Sequence, residues 1–211
     1  MSNATFTAEK LLGINAVQLS PDKPYIWASG WKSPIYCDNR KVLSHPYIRD
    51  HIKSELCNVV FEKFKEAELV VGVATAGIAW GAMVADQLKL PFVYVRPKPK
   101  EHGLGNQIEG EYSIGQKVVI IEDLISTGKS SLQVAEVLRS VEVEVLGMVS
   151  IFNYCFSTGK EAFDNARIKL YSLTDYPSLL QVATSKGILK EGQEEVLLKW
   201  RADPANWTGI S

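Results

Sequence analysis

The amino-acid sequence predicts an α/β protein with a mainly parallel, doubly wound sheet and a small N-terminal hood. Apolar runs of four or five residues alternate with stretches of helical periodicity from Glu68 to Leu173. Such alternation is typical of strands that are covered on both faces by the helices joining them. The length of 211 residues suits one such domain, and no repeat or linker rich in glycine, proline and serine marks a second. We therefore expect a single domain over residues 1–211, in which residues 1–43 contribute the hood.

The segments before the sheet predict this hood and one longer helix. Leucine and valine residues near helical spacing predict a short helix over residues 8–19, which Pro21 ends. Residues 25–28 and 34–37 flank a turn-like segment and predict a hairpin. Pro46 then opens a second predicted helix, because apolar residues follow it at steps of three and four up to Val60.

The remaining elements follow from the period of the apolar residues. Continuous apolar runs predict strands, and amphipathic stretches between them predict helices. The predicted strands are 69–73, 92–95, 117–121 and 143–151, the predicted helices are 76–90 and 129–140, and helical and strand-like pieces continue to Leu173 before a helical region over 174–200.

Composition excludes several functional classes. The chain carries 23 basic and 24 acidic side chains, so it lacks the basic excess with which proteins neutralise nucleic-acid phosphates. The longest uncharged stretch, 69–85, is interrupted by glycines and is shorter than the ~20 apolar residues of a membrane helix. The three cysteines, Cys37, Cys57 and Cys155, are too far apart for a metal knuckle and odd in number. With no export signal visible, we expect a reducing cytoplasm, no membrane and no nucleic-acid partner.

The sharpest functional signal lies between Val118 and Ser130. A buried strand leads into Glu122 and Asp123, and small hydroxylic residues with Gly128 then open a helix. In open α/β sheets ligands bind beyond the carboxyl ends of the strands, and a glycine-containing turn into a helix presents backbone N–H groups to a phosphate. The two acids suit sugar hydroxyls, the hydration shell of a metal ion or developing positive charge.

Two other interpretations of this segment are weaker. The run from Thr127 to Ser130 resembles the end of a nucleotide-binding P-loop, but the first glycine of that motif would fall on Asp123, whose carboxylate would face the phosphates. An ordinary helix N-cap after a strand explains the serine and threonine residues and leaves the adjacent acids unexplained.

A basic segment between two predicted strands is a second candidate. Arg96, Lys98, Lys100 and His102 alternate with prolines and other residues and lead into a glycine-containing connection. A long connection without apolar anchors is typical of a functional lid, and its charges suit a polyanion such as pyrophosphate. The alternative is a solvated surface loop with a chance basic run.

Together these segments resemble a known family. The acid-pair segment resembles the phosphoribosyl pyrophosphate (PRPP) motif of the type I phosphoribosyltransferases, and the orotate phosphoribosyltransferases most of all. Residues 28–36, with the sequence Ala-Ser-Gly-Trp-Lys-Ser-Pro-Ile-Tyr, and residues 96–103, with Arg-Pro-Lys-Pro-Lys-Glu-His-Gly, are similar to two further segments of that family and occur in the expected order. The resemblance covers most of the chain.

The resemblance implies a fold, a reaction and a set of site residues. It implies the type I phosphoribosyltransferase fold and transfer of ribose 5-phosphate from PRPP to orotate, with Mg²⁺ held mainly by substrate and water and no direct protein ligand. It also implies a homodimer that shares the basic loop between subunits. The implied catalytic residues are Lys100, His102 and Asp123; the implied PRPP-binding residues are Arg96, Lys100, His102, Glu122, Asp123, Leu124, Ile125, Ser126, Thr127, Gly128, Lys129 and Ser130; the implied orotate-binding residues are Ser126, Lys32 and Tyr36.

The chain departs from some relatives where the carboxylate of orotate is held. Ala28 and Pro97 stand where some relatives have lysine, Thr75-Ala76 stands where some have a Tyr-Lys pair, and Tyr154 stands near an arginine position. Thr75, Ala76 and Gly77 nevertheless form a small-residue turn after a predicted strand, and we expect this turn to offer backbone N–H groups to pyrophosphate. A purine or uracil phosphoribosyltransferase therefore stays open as an alternative. A PRPP-sensing regulator that binds nucleic acid is disfavoured, because the basic loop is intact and the net charge is −1.

Overall fold

The computed structural model describes residues 2–27, 29–98 and 107–209. These residues form two compact units, one from residues 1–48 with 174–211 and the other from residues 49–173. The elements in chain order are α1 (Asn3–Gly13), β1 (Val17–Leu19), β2 (Tyr25–Ile26), β3 (Lys32–Ser33), β4 (Ile35–Cys37), a 3-10 helix (Asn39–Ser44), α2 (Pro46–Lys63), β5 (Leu69–Val73), α3 (Ala76–Leu88), β6 (Phe92–Val95), β7 (Ile108–Glu109), β8 (Lys117–Ile125), α4 (Lys129–Ser140), β9 (Glu144–Asn153), α5 (Ser157–Ala166), β10 (Lys169–Asp175), α6 (Tyr176–Ser185) and α7 (Gln193–Ala202).

The first helix begins and ends earlier than the sequence predicts. The Ser2 side chain caps α1 by accepting a hydrogen bond from the Thr5 N–H at 3.3 Å. The helix ends at Gly13, and Asn15 takes a left-handed conformation with φ 54°. Val17–Leu19 then forms β1, so the predicted helix over 8–19 is wrong in its second half, where the apolar residues belong to a strand.

The predicted hairpin between residues 25–28 and 34–37 is replaced by two separate strand pairs. β2 pairs with β3 through Tyr25↔Ser33, whereas β4 pairs with β1 through Leu19↔Ile35. Pro34 lies between β3 and β4, and a proline cannot donate a ladder hydrogen bond. The chain therefore changes partner at this residue.

The C-terminal helices complete the first unit. α6 begins after Asp175, which accepts a hydrogen bond from the Ser178 N–H at 2.8 Å, and it packs against α1. The predicted helical region over 174–200 is divided into α6 and α7, because Gly187 has a φ of +66° and interrupts it. Trp200 of α7 is fully buried and donates its indole N–H to the Lys32 carbonyl at 3.1 Å.

The second unit is built on a six-stranded sheet with the order β10-β9-β8-β5-β6-β7. β5 runs parallel to β6 and β8, and β8 runs parallel to β9, while β7 is antiparallel to β6. α3 packs against β5 and β8, and α4 contacts β9 and β8. The predicted fold class, a mainly parallel α/β sheet flanked by helices, is confirmed. None of the described helices is both long enough and apolar enough to cross a membrane.

The connectivity of this sheet determines where a ligand can bind. From β5 the chain adds β6 on one side and β8 on the other. The strand order thus reverses between β5 and β8, and open α/β sheets bind ligands at the carboxyl ends of the strands where this reversal occurs. The acid-pair segment lies at the end of β8, directly at this point.

Candidate active site

The turn after β5 and the end of β8 are in close contact. A Cβ atom added at Gly77 would lie 2.6 Å from the Ile121 carbonyl oxygen, so any larger residue would separate α3 from β8. Thr75, at the start of α3, is exposed, and the Ala74–Thr75 peptide bond is cis. The predicted anion-binding turn at Thr75, Ala76 and Gly77 therefore lies beside the acid-pair strand.

The turn after β8 leads into α4 through a glycine N-cap. Gly128 is the N-cap of α4 with φ +77°, a conformation that L side chains rarely adopt. Because glycine has no side chain to cap the helix, the first N–H groups of α4 are available to a phosphate. Ser126 and Thr127 are half-buried, and Lys129 and Ser130 are exposed, so donors and a positive charge surround this turn.

The two acids occupy different environments. Glu122 is 5% exposed, whereas Asp123 is half-buried. The Glu122 carboxylate accepts hydrogen bonds from the Ser131 hydroxyl at 2.9 Å and from the Asp123 N–H at 2.9 Å. Burial first, and then the negative charge of Asp123, raise the pKa of the Glu122 carboxyl well above its usual range. The two neighbouring carboxyl groups thus differ in exposure, since Asp123 is partly open to solvent and Glu122 is enclosed.

Ser131 is a site residue that the motif analysis misses. It lies in the first turn of α4 and is 2% exposed. The sequence does contain a signal for it, because Ser131 shares helical spacing with the buried residues Val134, Ala135 and Leu138. A serine on the apolar face of a helix needs a polar partner, and Glu122 provides it.

The basic segment begins at the end of β6. The Arg96 N–H donates to the Gln107 carbonyl at 2.9 Å, and the Gln107 side-chain amide donates to the Arg96 carbonyl at 2.7 Å, so residues 96 and 107 are held together. The Arg96 guanidinium lies 3.7 Å from a Glu109 carboxylate oxygen. Lys100 and His102 lie outside the described residues.

A cavity of about 660 Å³ lies beside the same strand end. Ile125 and Phe163 line its apolar wall, and Lys160 and Arg167 contribute charge. Residues 126–130 are not part of its lining.

Of the predicted PRPP-binding residues, Leu124 is half-buried and Ile125 is fully buried, so the apolar side chain of Ile125 is packed away from solvent.

The predicted orotate residues Lys32 and Tyr36 lie in the first unit. The Lys32 ammonium donates to the Thr208 carbonyl at 3.1 Å. The Tyr36 side chain is exposed and its ring centroid lies 5.5 Å from that of Tyr25. In the second unit Tyr154 is 1% exposed, and its ring lies parallel to that of Phe156 at 5.3 Å.

No group of three or more potential metal ligands occurs among the histidine, cysteine, aspartate and glutamate residues within 2–27, 29–98 and 107–209. The described residues thus form no protein cage for a metal ion. Mg²⁺ does not require one, because it usually keeps several waters and takes ligands from substrate phosphates. Asp123 is half-buried at the end of β8, and its carboxylate is of the type that accepts hydrogen bonds from such waters.

A mainly parallel sheet whose strand order reverses between β5 and β8, with a turn into a helix after each of these strands and an acid pair at the end of β8, is typical of one class of protein. Residues 39–169 match the family described as the phosphoribosyl transferase domain, and the chain belongs to this family.

Similar proteins identify the branch of the family. The chain is 52% identical over 200 residues to the orotate phosphoribosyltransferase of Bacteroides thetaiotaomicron, covering 95% of this chain and 94% of the relative. It is 51% identical over 204 residues to that of Bacillus cereus, covering 97% of each chain. The crystal structure of orotate phosphoribosyltransferase from Aeropyrum pernix matches with a TM-score of 0.75 and 29% identity, over 87% of this chain and 99% of that one. Within the family, the chain is thus one of the orotate phosphoribosyltransferases.

Proposed function

We propose that this chain transfers the ribose 5-phosphate group of PRPP to orotate, forming orotidine 5′-monophosphate and pyrophosphate in the synthesis of UMP. The observation that carries the proposal is the pair of anion-binding turns at Thr75–Gly77 and Ser126–Ser130, at the ends of two adjacent strands, with Asp123 at the end of one of them. PRPP has a phosphate at one end, a pyrophosphate at the other and ribose hydroxyls between them. The name shared by the relatives at about half identity supports orotate as the acceptor.

Three parts of the site would each contact a different part of PRPP. The turn from Ser126 to Ser130 would hold the 5′-phosphate through backbone N–H groups and hydroxyls. The acid pair would hold the ribose, and the turn from Thr75 to Gly77 would offer N–H groups to the pyrophosphate. The remaining contacts with PRPP are assigned from the family resemblance to Arg96, Lys100, His102, Leu124 and Ile125.

Charge develops at both ends of the breaking bond. Cleavage between C1′ and the pyrophosphate oxygen creates oxocarbenium-like positive charge on the sugar and negative charge on the leaving group, as in glycoside hydrolysis. The Asp123 carboxylate would stabilise the sugar, while Arg96, Lys100 and His102 would stabilise the departing pyrophosphate. A single preorganised contact of this kind typically contributes about 3–4 kcal/mol. Mg²⁺, held mainly by PRPP and water, would neutralise part of the pyrophosphate charge.

Further features of the proposal come from the family resemblance. Ser126, Lys32 and Tyr36 would contact orotate. Two subunits would form a homodimer in which the basic loop of one completes the site of the other. The enzyme would work in the cytoplasm, without a nucleic-acid or membrane partner.

The direct test is to follow orotate consumption by its ultraviolet absorbance, with and without PRPP and Mg²⁺. We expect consumption only when both are present, and no product when uracil, adenine or hypoxanthine replaces orotate. Absence of turnover with orotate, or faster turnover with another base, would contradict the proposed function.

A further inference from the structure

We propose that Glu109 is a positioning residue, whose carboxylate orients the Arg96 guanidinium toward the pyrophosphate end of PRPP. The inference rests on the proposed function, because that function assigns Arg96 to the departing pyrophosphate. Glu109 lies outside the acid-pair segment and outside the basic segment 96–103. Its role follows from the pairing of β6 with β7.

The end of β6 lies beside the turn that is proposed to bind pyrophosphate. β5 and β6 are neighbouring parallel strands with Val73 opposite Val95, and the Ala74 N–H donates to the Val95 carbonyl at 3.0 Å. Both strands end here, so Arg96 leaves β6 at the same edge of the sheet as the turn from Thr75 to Gly77. A cation at this edge complements the N–H groups of the turn in binding a polyanion.

The backbone of Arg96 is held by the strand pair. Tyr94 lies opposite Glu109 in the antiparallel ladder of β6 and β7. Two residues after Tyr94, the Arg96 N–H donates to the Gln107 carbonyl at 2.9 Å, and the Gln107 side-chain amide donates to the Arg96 carbonyl at 2.7 Å. These hydrogen bonds fix the main chain of Arg96, but a long side chain keeps its rotamer freedom unless it has a partner of its own.

The ladder brings Glu109 within reach of the Arg96 side chain. Side chains two residues apart in a strand lie on the same face, so Arg96 shares the face of Tyr94 and of the residue opposite it, Glu109. Residues on such a diagonal can contact each other when their side chains are long. The Arg96 Nη1 atom lies 3.7 Å from the Glu109 Oε1 atom. The two side chains are 35% and 23% exposed, so solvent screens the pair only in part.

This ion pair favours orientation more than stability. Ion pairs near the surface contribute little to folding. A guanidinium has five N–H donors, so a pair through Nη1 leaves other donors able to bind a second anion. With its rotamers restricted beforehand, Arg96 would lose less conformational freedom when pyrophosphate binds. Glu109 would therefore strengthen the binding of an anion despite its own negative charge.

The sign of a binding change separates this role from simple repulsion. A carboxylate near a bound anion repels it, so removing a carboxylate that acts by charge alone should lower the Kd for pyrophosphate. Removing one that orients Arg96 should raise this Kd. Calorimetric titration of the full chain with pyrophosphate and Mg²⁺ measures the change.

Glu109→Ala should weaken the binding of pyrophosphate. We expect its Kd to rise by about two- to fivefold, the effect of losing one partly exposed ion pair. Glu111→Ala is the matched control, because Glu111 is an exposed glutamate two positions further along the chain and its replacement removes the same charge. This control should leave the Kd unchanged or lower it.

A double-mutant cycle shows whether Glu109 acts through Arg96. Arg96→Ala should raise the Kd for pyrophosphate by about tenfold or more, because it removes a charge-assisted contact. In this background Glu109→Ala should cause no further weakening, since no guanidinium is left to orient. The Kd for ribose 5-phosphate, which has no pyrophosphate group, should stay within about twofold of the wild-type value in all of these variants.

Several results would overturn the inference. They are an unchanged or lower Kd for pyrophosphate in Glu109→Ala, an equal rise in Glu111→Ala, and the same weakening by Glu109→Ala with and without the Arg96 side chain. Arg96→Ala that binds pyrophosphate as tightly as the wild type would also overturn it.

Two further observations complete the test. If Glu109→Ala does not fold, Glu109→Gln takes its place, with a rise in the Kd of about twofold expected and an unchanged or lower Kd overturning the inference. A wild-type chain that binds ribose 5-phosphate but not pyrophosphate would overturn the inference alone. If the wild-type chain binds neither, the proposed function itself fails.

Discussion

Replacing Gly128 with alanine perturbs the turn that is proposed to hold the 5′-phosphate. Gly128 has a φ of +77°, and a left-handed conformation costs an L-residue roughly 1–2 kcal/mol. The new Cβ would also lie 2.6 Å from a ring carbon of Phe163, and such overpacking typically costs about 1–3 kcal/mol. We expect Gly128→Ala to lower the free energy of unfolding by about 2–5 kcal/mol.

Gly115→Ala is the matched control for this change. Gly115 has nearly the same φ, +76°, but a Cβ there would meet nothing within 4 Å. This variant should lose only the conformational part, about 1–2 kcal/mol. The difference between the two variants in urea unfolding isolates the contact with Phe163.

The same pair of variants separates function from stability. The overlap at Gly128 is relieved only if Phe163 or the turn moves, and movement of the turn displaces the N–H groups offered to phosphate. We expect the KM for PRPP to rise by about tenfold or more in Gly128→Ala, and to stay near the wild-type value in Gly115→Ala. A double variant with Phe163→Leu should recover part of the loss. Steady-state kinetics that give both single variants the same KM, together with equal unfolding free energies, would refute this reasoning.

Three further variants test other parts of the site. Asp123→Asn should lower kcat/KM for PRPP by about tenfold or more because it removes the charge facing the developing cation, and near-normal kinetics would remove this acid from the mechanism. Lys100→Ala should reduce turnover far more than it weakens orotate binding, measured by kinetics and equilibrium titration, and equal losses would argue against a leaving-group role. Because the pKa of the Glu122 carboxyl lies above its ordinary 4.5, this group holds its proton more tightly in the folded protein than in the unfolded chain, and its contribution to stability falls as the pH rises above 4.5. Glu122→Gln lacks this titration, so its unfolding free energy in urea should increase relative to that of the wild type as the pH rises above 4.5, and a difference independent of pH would contradict the assigned environment.

The inner strands of the sheet could be predicted from sequence because they are apolar along their length. Leu69–Val73 and Phe92–Val95 are continuous apolar runs, and the structure has strands at these bounds. Continuous burial leaves a plain signal in composition. The acid-pair segment was equally visible, because acids followed by Ser-Thr-Gly at a strand end combine features that ordinary packing does not require.

The parts that sequence reasoning misplaced depend on partners that are distant in the chain. Val17–Leu19 has helical spacing with the residues before it, and only its pairing with Ile35–Cys37 makes it a strand. β8 continues past Ile121 because β9 supplies partners for Glu122, Leu124 and Ile125, which the polarity of the segment alone does not reveal. The hydrogen bonding of the buried Glu122 carboxyl likewise depends on Ser131, nine positions away and on a different element.

The central claim is that PRPP binds at the end of β8, and a crystal structure of the chain with PRPP and Mg²⁺ tests it most directly. The account predicts the 5′-phosphate against the N–H groups of residues 126–130 and the ribose hydroxyls beside Asp123. Density for PRPP in another place, such as the cavity lined by Ile125 and Phe163, would contradict it.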